Sequence, residues 1–162
     1  MERVTHTLDP VYDTDSKILI LGTMPSVKSR EEGFYYAHPG NRFWAVLGCV
    51  FSCDCPVTVN QKKEFLKTHH IALWDVLQSC EIHGSGDASI RNIVTNPVEQ
   101  LLPHTKITGI YTTGKKAYEI YEKYLYPETG IHAVYLPSPS AANCTVSLDE
   151  LVSAYGCLRD GE

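Results

Sequence analysis

A continuous apolar run from Ile18 to Leu21 is the feature that most restricts how this chain can fold. Four aliphatic residues in a row, followed at once by Gly22, are typical of a short strand that is buried on both faces of a sheet. In open α/β sheets, ligands bind in the loops outside the carboxyl ends of such strands. The loop after this run carries three aromatic residues, at positions 34–36, and Asn41 at the start of an amphipathic segment. We therefore expect a ligand site between residues 22 and 41.

The rest of the chain alternates between short apolar runs and segments of helical period. Further strands are predicted at residues 71–74, 107–112 and 131–136, and helices at 42–51, 61–68, 115–125 and 148–158, with a short helix at 97–102. We interpret residues 1–16 as an irregular arm and residues 78–96 as a surface loop. This alternation predicts an α/β fold, with one domain over residues 1–162 built as a three-layer α/β/α sandwich around a four-stranded parallel sheet. The strand order expected for that sheet, counted along the chain, is 2-1-3-4.

Local signals mark several helix ends. Asn41 follows a Pro-Gly pair and is a good N-cap for the helix that begins there. Ser147 and Glu150 form a capping box ahead of the last helix. Pro127 and Gly130 are expected to end the helix that starts at residue 115.

The formal net charge of -5 argues against non-specific nucleic-acid binding, which usually rests on many Lys and Arg contacts to phosphate. A small footprint can still hold phosphates with main-chain N–H groups and helix N-termini. No apolar segment is long enough to cross a bilayer, and the first residues lack the apolar core of a signal peptide. We therefore expect no membrane association and a cytoplasmic location.

Six cysteines, three of them within residues 49–55, raise the question of a metal site. They include no C-x-x-C pair, and no Cys/His set follows at zinc-finger spacing, so we interpret them as free thiols and expect no metal. The sequence also lacks a phosphate-binding loop, a dinucleotide-binding turn, a nucleophile elbow and a zinc-protease motif. No cofactor is predicted.

Three loops should meet at the carboxyl edge of the sheet: residues 22–41, the residues from Asp75 onward, and residues 137–143. GTMPS, YAHPGNRFW and LPSPSAAN are the motifs of this region, in that order along the chain. Together they resemble the motifs of the uracil-DNA glycosylase superfamily. The second motif is most similar to the mismatch-specific uracil/thymine branch, and the first and third to the hypoxanthine (deoxyinosine) branch. The resemblance extends over residues 17–158.

The resemblance implies base excision. Such an enzyme flips a deaminated nucleotide out of double- or single-stranded DNA and hydrolyses its N-glycosidic bond, here as a monomer and without strand cleavage. Hypoxanthine in deoxyinosine is the favoured lesion, with uracil as a second. Two alternatives stay open: a mismatch-directed uracil or thymine glycosylase, and a non-catalytic module that binds nucleic acid or a nucleobase.

The first and second motifs differ in what they imply for catalysis. In the mismatch branch an Asn of the first motif positions the attacking water, and Met24 stands at that place here. A thioether cannot orient a nucleophilic water. In the hypoxanthine branch an Asn of the second motif is thought to carry the catalysis, and the matching residue is Asn41, whose carboxamide can both accept and donate hydrogen bonds. The alternative is that Asn41 only caps its helix.

The resemblance also implies a set of substrate contacts. Tyr36 would stack on the flipped base, although it could instead pack against the sheet edge. His38 would face the pocket or only shape the turn before a proline. Asp75 would contact the base edge or cap a turn. The turn of the first motif would hold the base edge or a water, through residues Gly22, Thr23, Met24 and Pro25.

The third motif corresponds to a loop that pinches the DNA backbone and enters the minor groove. Small hydroxyl residues suit phosphate contacts that add little charge. The alternative is an ordinary proline-rich turn. Lys115 and Lys116 are also candidates for phosphate contact, but we interpret them as part of a solvated helix face. The predicted DNA-binding residues are Ser138, Pro139, Ser140 and Asn143.

Overall fold

The computed structural model describes residues 2–82 and 90–159. The strands are β1 (Glu2–Thr5), β2 (Ile18–Gly22), β3 (Ile71–Asp75), β4 (Leu77–Ile82), β5 (Arg91–Thr95), β6 (Gly109–Thr113) and β7 (Ala133–Leu136). The α-helices are α1 (Val27–Glu32), α2 (Phe43–Val50), α3 (Val59–Thr68), α4 (Lys115–Ile120), α5 (Tyr126–Thr129) and α6 (Leu148–Tyr155). A π-helical turn, Tyr121–Leu125, joins α4 to α5, and short 3-10 segments cover Val98–Gln100, Leu102–His104 and Gly156–Arg159.

Strands β3, β2, β6 and β7 form a parallel sheet in that spatial order. Ile20 of β2 pairs with Leu73 of β3 on one side and with Tyr111 of β6 on the other. The apolar residues of β2 are completely buried, as their uninterrupted run predicted. Numbered among the strands of this sheet, the order is 2-1-3-4, so the predicted fold class and strand order are confirmed.

The helices pack around this sheet through apolar faces. Helix α3 packs on β3, α4 packs on β6 and β7, and α2 packs against α6. Because α4 follows β6 after a single residue, its first turn lies at the carboxyl edge of the sheet. The buried residues of α2 include four at helical spacing, namely Phe43, Val46, Leu47 and Val50.

The capping box predicted for α6 is present. The Ser147 hydroxyl accepts a hydrogen bond from the Glu150 N–H at 3.1 Å, and the Glu150 carboxylate accepts one from the Ser147 N–H at 3.2 Å. The same arrangement caps α3 through Thr58 and Gln61. Both boxes satisfy N–H groups that have no partner within the helix.

Pro127 does not end a helix, contrary to the prediction. The helical segment that starts with α4 continues through the π turn and α5 to Thr129, and Gly130 closes it with φ of 73°. Proline is tolerated at the start of α5, because the first N–H groups of a helix need no partner inside it.

A second, antiparallel sheet corrects the interpretation of residues 1–16 and 78–96. Its strands lie in the order β1, β4, β5, and Val4 pairs with Cys80. These strands are short, and β5 is mostly exposed, so they lack the strict alternation that marks a strand in sequence. Pairing between β1 and β4 is also non-local. The rest of the predicted loop, residues 83–89, lies outside the described residues.

One further short helix was not predicted. Helix α1 has no apolar stripe; Ser26 caps it by accepting a hydrogen bond from the Ser29 N–H, and Gly33 ends it with φ of 76°. The short helix predicted at residues 97–102 forms as the first two 3-10 segments. Over residues 2–82 and 90–159, none of the helices is both long and apolar enough to span a membrane.

Candidate active site

A cavity of about 540 Å³ opens at the carboxyl edge of the parallel sheet. This volume lies in the range that is typical of small-molecule sites. All three motif loops contribute to its wall, as the predicted topology requires. The predicted site residues that line it are Gly22, Thr23, Met24, Pro25, Tyr36, Asn41, Asp75, Ser138, Pro139 and Ser140.

Gly22 and Asp75 form one wall of the cavity, as the paired last residues of β2 and β3. A Cβ atom at position 22 would lie 2.5 Å from Asp75 Oδ1 and 3.2 Å from the Tyr36 hydroxyl. A residue without a side chain is needed there, because any Cβ would displace the carboxylate. The glycine of the first motif thus allows the carboxylate and the ring to approach the strand end closely.

The Asp75 carboxylate is buried and bound by a histidine from outside the motifs. His6 follows β1, and its Nε2 atom lies 2.9 Å from Asp75 Oδ2. The two side chains are 3% and 5% exposed. Burial raises the pKa of Asp75, while hydrogen bonds from His6 and from the Gly22 N–H oppose that rise.

Tyr36 lines the cavity and is held in place through both its ring and its hydroxyl. Its ring stacks on Phe43, with centroids 3.8 Å apart and planes 12° apart, and its hydroxyl lies 3.1 Å from Thr113 Oγ1. Burial, together with the nearby charge of Asp75, raises the pKa of Tyr36, so its hydroxyl stays protonated at neutral pH. The backbone φ of 54° is uncommon for a bulky residue and marks local strain.

Asn41 presents its carboxamide to the cavity at the start of α2. Its Oδ1 accepts a hydrogen bond from the Phe43 N–H at 2.9 Å, so it satisfies one of the first N–H groups of the helix. Arg42, not Asn41, occupies the N-cap position itself. Asn41 therefore caps α2 as predicted, but from one residue before the N-cap position, and this hydrogen bond fixes the orientation of the carboxamide.

Arg42 ties the second motif to the third. The main-chain N–H of Arg42 donates to the Pro139 carbonyl at 3.0 Å. Its guanidinium donates to the carbonyls of Ser140, Asn143 and Val146. A planar guanidinium with five donors is suited to binding several carbonyls at once. The loop that is predicted to contact DNA is thus anchored beside Asn41.

Two predicted site residues, His38 and Asn143, do not line the cavity. His38 Nδ1 accepts a hydrogen bond from the Gly40 N–H at 3.0 Å, which stabilises the turn before α2. The Asn143 side chain donates to the Ser138 carbonyl at 3.0 Å, inside the third-motif loop. In the structure, both side chains therefore stabilise their own loops.

A family model described as the uracil DNA glycosylase superfamily matches residues 10–154 of the chain. The match includes all three motif loops and every strand of the parallel sheet. The chain belongs to the uracil DNA glycosylase superfamily. The resemblance inferred from the three motifs is confirmed.

Similar proteins within the superfamily agree with this assignment. A protein named hypoxanthine DNA glycosylase from Methanosarcina barkeri is 35% identical over 138 residues, which cover 83% of this chain and 85% of the relative. One with the same name from Methanosarcina acetivorans is 36% identical over 137 residues, covering 82% and 84%. A solution NMR structure of a proposed uracil DNA glycosylase from M. acetivorans superimposes with a TM-score of 0.83 at 31% identity, covering 97% of this chain and 98% of the other.

The cavity of this superfamily member also has two lysines on one side, beside the exposed carboxylate of Glu119. Lys115 and Lys116, at the start of α4, line it together with Thr113 and Gly114. The signal was available, since α4 directly follows a strand whose carboxyl end lies at the same sheet edge. We assigned the lysines to a solvated face because an amphipathic pattern does not tell which end of a helix meets a cavity.

Among residues 2–82 and 90–159, no group of three or more His, Cys, Asp or Glu side chains is arranged to hold a metal ion. Cys49, Cys53 and Cys55 are all exposed free thiols. The absence of a metal and of a cofactor in this superfamily member stays a prediction.

Proposed function

We propose that this chain is a DNA glycosylase that releases hypoxanthine from deoxyinosine in DNA. The observation that carries the proposal is the cavity itself, which combines the ring of Tyr36 and the carboxylate of Asp75 with Asn41, the one carboxamide among the described residues that line it. Met24 stands in the turn that would otherwise provide a second water-binding carboxamide. Two similar proteins named hypoxanthine DNA glycosylase support this choice of base.

The reaction is a hydrolysis that needs no group beyond water. The water oxygen bonds to C1′ of the sugar while the bond from C1′ to N9 of the base breaks, and the base leaves with that electron pair. The water proton passes to solvent or to the departing base, so the products are an abasic sugar and free hypoxanthine. The sugar develops oxocarbenium character on the way, as in other glycoside hydrolyses.

Asn41 is the proposed catalytic residue. Its Oδ1 has two acceptor sites, and the Phe43 N–H uses one of them. The second can accept a hydrogen bond from the attacking water, while the Nδ2 group donates to the substrate. Because the carboxamide is already fixed by the helix, it needs little reorganisation before reaction.

Tyr36 is proposed to stack on the extruded base. Phe43 covers one face of its ring, so a base would lie on the other face. The rigidity of this pair suits stacking, because a fixed aromatic ring loses little conformational freedom when the base binds. The base edge would then meet the turn from Gly22 to Pro25 and the carboxylate of Asp75.

Contacts to the DNA backbone are assigned to the third motif and to α4. Ser138 Oγ accepts a hydrogen bond from the Ser140 N–H, and Ser140 Oγ accepts one from the Ala142 N–H, both at 3.2 Å. Each hydroxyl thus keeps its own proton for donation to a phosphate. Lys115 and Lys116 add local positive charge to a chain that is acidic as a whole.

Replacing Ser138 and Ser140 together by Ala should weaken duplex binding by about thirtyfold or more, since each of the two lost hydrogen bonds to a charged group contributes on the order of 1 kcal/mol or more. Binding is measured by fluorescence anisotropy at low salt with an inosine-containing duplex. Ser153→Ala, on the exposed face of α6, is the matched control and should bind normally. Unchanged binding by the double variant would contradict the assignment of this loop to DNA.

The function itself is tested with labelled duplexes that contain inosine, uracil or a G·T pair, followed by alkaline cleavage of abasic sites. Cleavage at inosine in preference to the other two is the expected result. Faster cleavage at uracil or at mismatched thymine would replace hypoxanthine by the mismatch-directed alternative. Binding without any cleavage would identify a non-catalytic module.

A further inference from the structure

The imidazole of His6 has a defined tautomer. Its Nδ1 accepts a hydrogen bond from the Leu8 main-chain N–H at 3.3 Å, so the ring proton lies on Nε2, which faces Asp75 Oδ2. A neutral imidazole is therefore sufficient to donate to the carboxylate. The ring also packs beside Tyr35, with centroids 6.1 Å apart. These contacts hold the donor in place at the back of the cavity.

The second carboxylate oxygen, Asp75 Oδ1, is turned toward Gly22, where an added Cβ would meet it at 2.5 Å. Asp75 and Gly22 both line the cavity. An ionised carboxylate accepts hydrogen bonds and has none to donate. The Gly22 N–H also donates to this carboxylate. Because each carboxylate oxygen has two acceptor sites, the cavity wall still offers a ligand an acceptor beside Gly22 while His6 occupies the other oxygen.

Deamination changes the hydrogen bonding of one ring nitrogen of a base. Adenine N1 and cytosine N3 carry lone pairs, whereas hypoxanthine N1 and uracil N3 carry a proton. A group that only accepts will bind the deaminated bases at this position and will repel the lone pair of the normal ones. Enzymes in general reject substrates that leave a buried polar group of the site without a hydrogen-bond partner, because this lowers the binding free energy.

We propose that His6 and Asp75 together detect deamination, with Asp75 Oδ1 accepting the ring N–H of the extruded base and His6 holding Asp75 in its acceptor-only state. This inference deepens the proposed function and rests on it. Asp75 is the residue that touches the base, and His6 is a positioning residue. Guanine N1 and thymine N3 also carry a proton, so the pair separates the deaminated bases from adenine and cytosine, and not from guanine or thymine.

Protonation of Asp75 would turn it into a donor and abolish this selection. Burial raises the pKa of Asp75 and the hydrogen bond from His6 opposes the rise, so losing His6 raises that pKa further. If activity needs ionised Asp75, then as the pH is lowered the variant without His6 should lose activity at a higher pH than the wild type does. The titratable groups that face Asp75 or share its cavity are His6, Tyr35, Tyr36, Lys115, Lys116 and Glu119.

The first test compares the wild type with His6→Leu and His6→Gln between about pH 4.5 and 9. Two quantities are measured: the single-turnover rate of hypoxanthine release and the carboxyl carbon NMR titration of Asp75. His6→Leu removes the donor. It should raise the pH at which the rate falls on the acid side, and the midpoint of the Asp75 titration, by about one to two pH units. His6→Gln, whose amide Nε2 can replace the imidazole donor, should stay close to the wild type.

His132→Leu is the matched control, because His132 also contacts a carboxylate, Glu122, at 3.0 Å but outside the cavity. It should leave both titrations unchanged. Glu119→Gln removes the exposed carboxylate of the cavity. Its pH profile shows how much of the pH dependence of the rate comes from Glu119 and not from Asp75. Identical Asp75 titrations in His6→Leu and the wild type would overturn the proposal, even if His6→Leu were less active.

Base selection is tested with Asp75→Asn, whose amide can present either a donor or an acceptor. The ratio of hypoxanthine to adenine release should fall by at least about tenfold, since one wrong hydrogen bond to a base typically costs this much. An unchanged ratio overturns the proposal. If the wild type releases no hypoxanthine, the proposed function fails, but the Asp75 titration still reports on the pair. Binding of non-cleavable 2′-fluoro-deoxyinosine and 2′-fluoro-deoxyadenosine duplexes then decides selection, and equal affinities overturn it.

Discussion

Asn41→Ala should lower the single-turnover rate of hypoxanthine release at least about a hundredfold, because it removes the carboxamide that orients the water and stabilises the transition state. Duplex binding should change little, since the third-motif loop is anchored by Arg42 and not by Asn41. Rates are measured with enzyme in excess over an inosine-containing duplex. Asn60→Ala, at an exposed position near the start of α3, is the control and should be fully active.

The same substitution also removes the hydrogen bond to the Phe43 N–H, so a loss of activity alone would not separate catalysis from helix capping. Loss of a cap typically costs about 1 kcal/mol of stability. Asn41→Ser resolves this, because a serine hydroxyl can also accept a hydrogen bond from the N–H two residues later but lacks the NH₂ donors and the reach of a carboxamide. We expect Asn41→Ser to keep nearly normal thermal stability and to stay inactive. Full activity in Asn41→Ser would contradict the catalytic role.

Gly22→Ala should be the most damaging small substitution in the cavity. The new Cβ would lie 2.5 Å from Asp75 Oδ1 and 3.2 Å from the Tyr36 hydroxyl, distances that force both groups to move. Neither can move easily, because His6 holds Asp75 and Phe43 holds the ring. We expect a loss of about 1–3 kcal/mol in stability from overpacking. We also expect a fall of about a hundredfold in the rate, because displacements near 1 Å in a site have this effect.

The measurement pairs thermal unfolding with single-turnover kinetics. Gly156→Ala is a suitable control: its new Cβ would have its nearest contact at 3.6 Å from Arg159, and its φ of -57° suits any residue. That variant should keep both stability and rate. Normal kinetics in Gly22→Ala would mean that the close approach of Asp75 to the strand end has no part in the reaction.

The parallel sheet could be predicted because its signals are local. The run from Ile18 to Leu21 needs two buried faces, which parallel sheets provide. Once alternating strands and helices are identified, right-handed crossovers restrict the strand order. Because the three motif loops follow these strands, they must meet at the carboxyl edge of the sheet. Ten predicted site residues line the cavity for this reason, whatever their individual roles.

The features that could not be predicted depend on contacts between distant parts of the chain. His6 pairs with a residue 69 positions later, and the pairing depends on β1 lying beside β4. Nothing in the polar sequence around His6 indicates this, since an isolated histidine has no periodic pattern. Similarly, the three carbonyls that bind Arg42 are main-chain atoms, which have no signature in the sequence.

The anchoring of the third-motif loop by Arg42 has a consequence for how this protein can vary. Exposed loops usually accept insertions at small cost, because closure entropy grows slowly with length. The loop from Ser140 to Val146 differs, because one rigid guanidinium binds carbonyls at both of its ends and near its middle. An added residue would carry at least one carbonyl out of reach. The length of this surface loop is therefore restricted as tightly as that of a buried strand, and engineering of its DNA contacts must proceed by substitution.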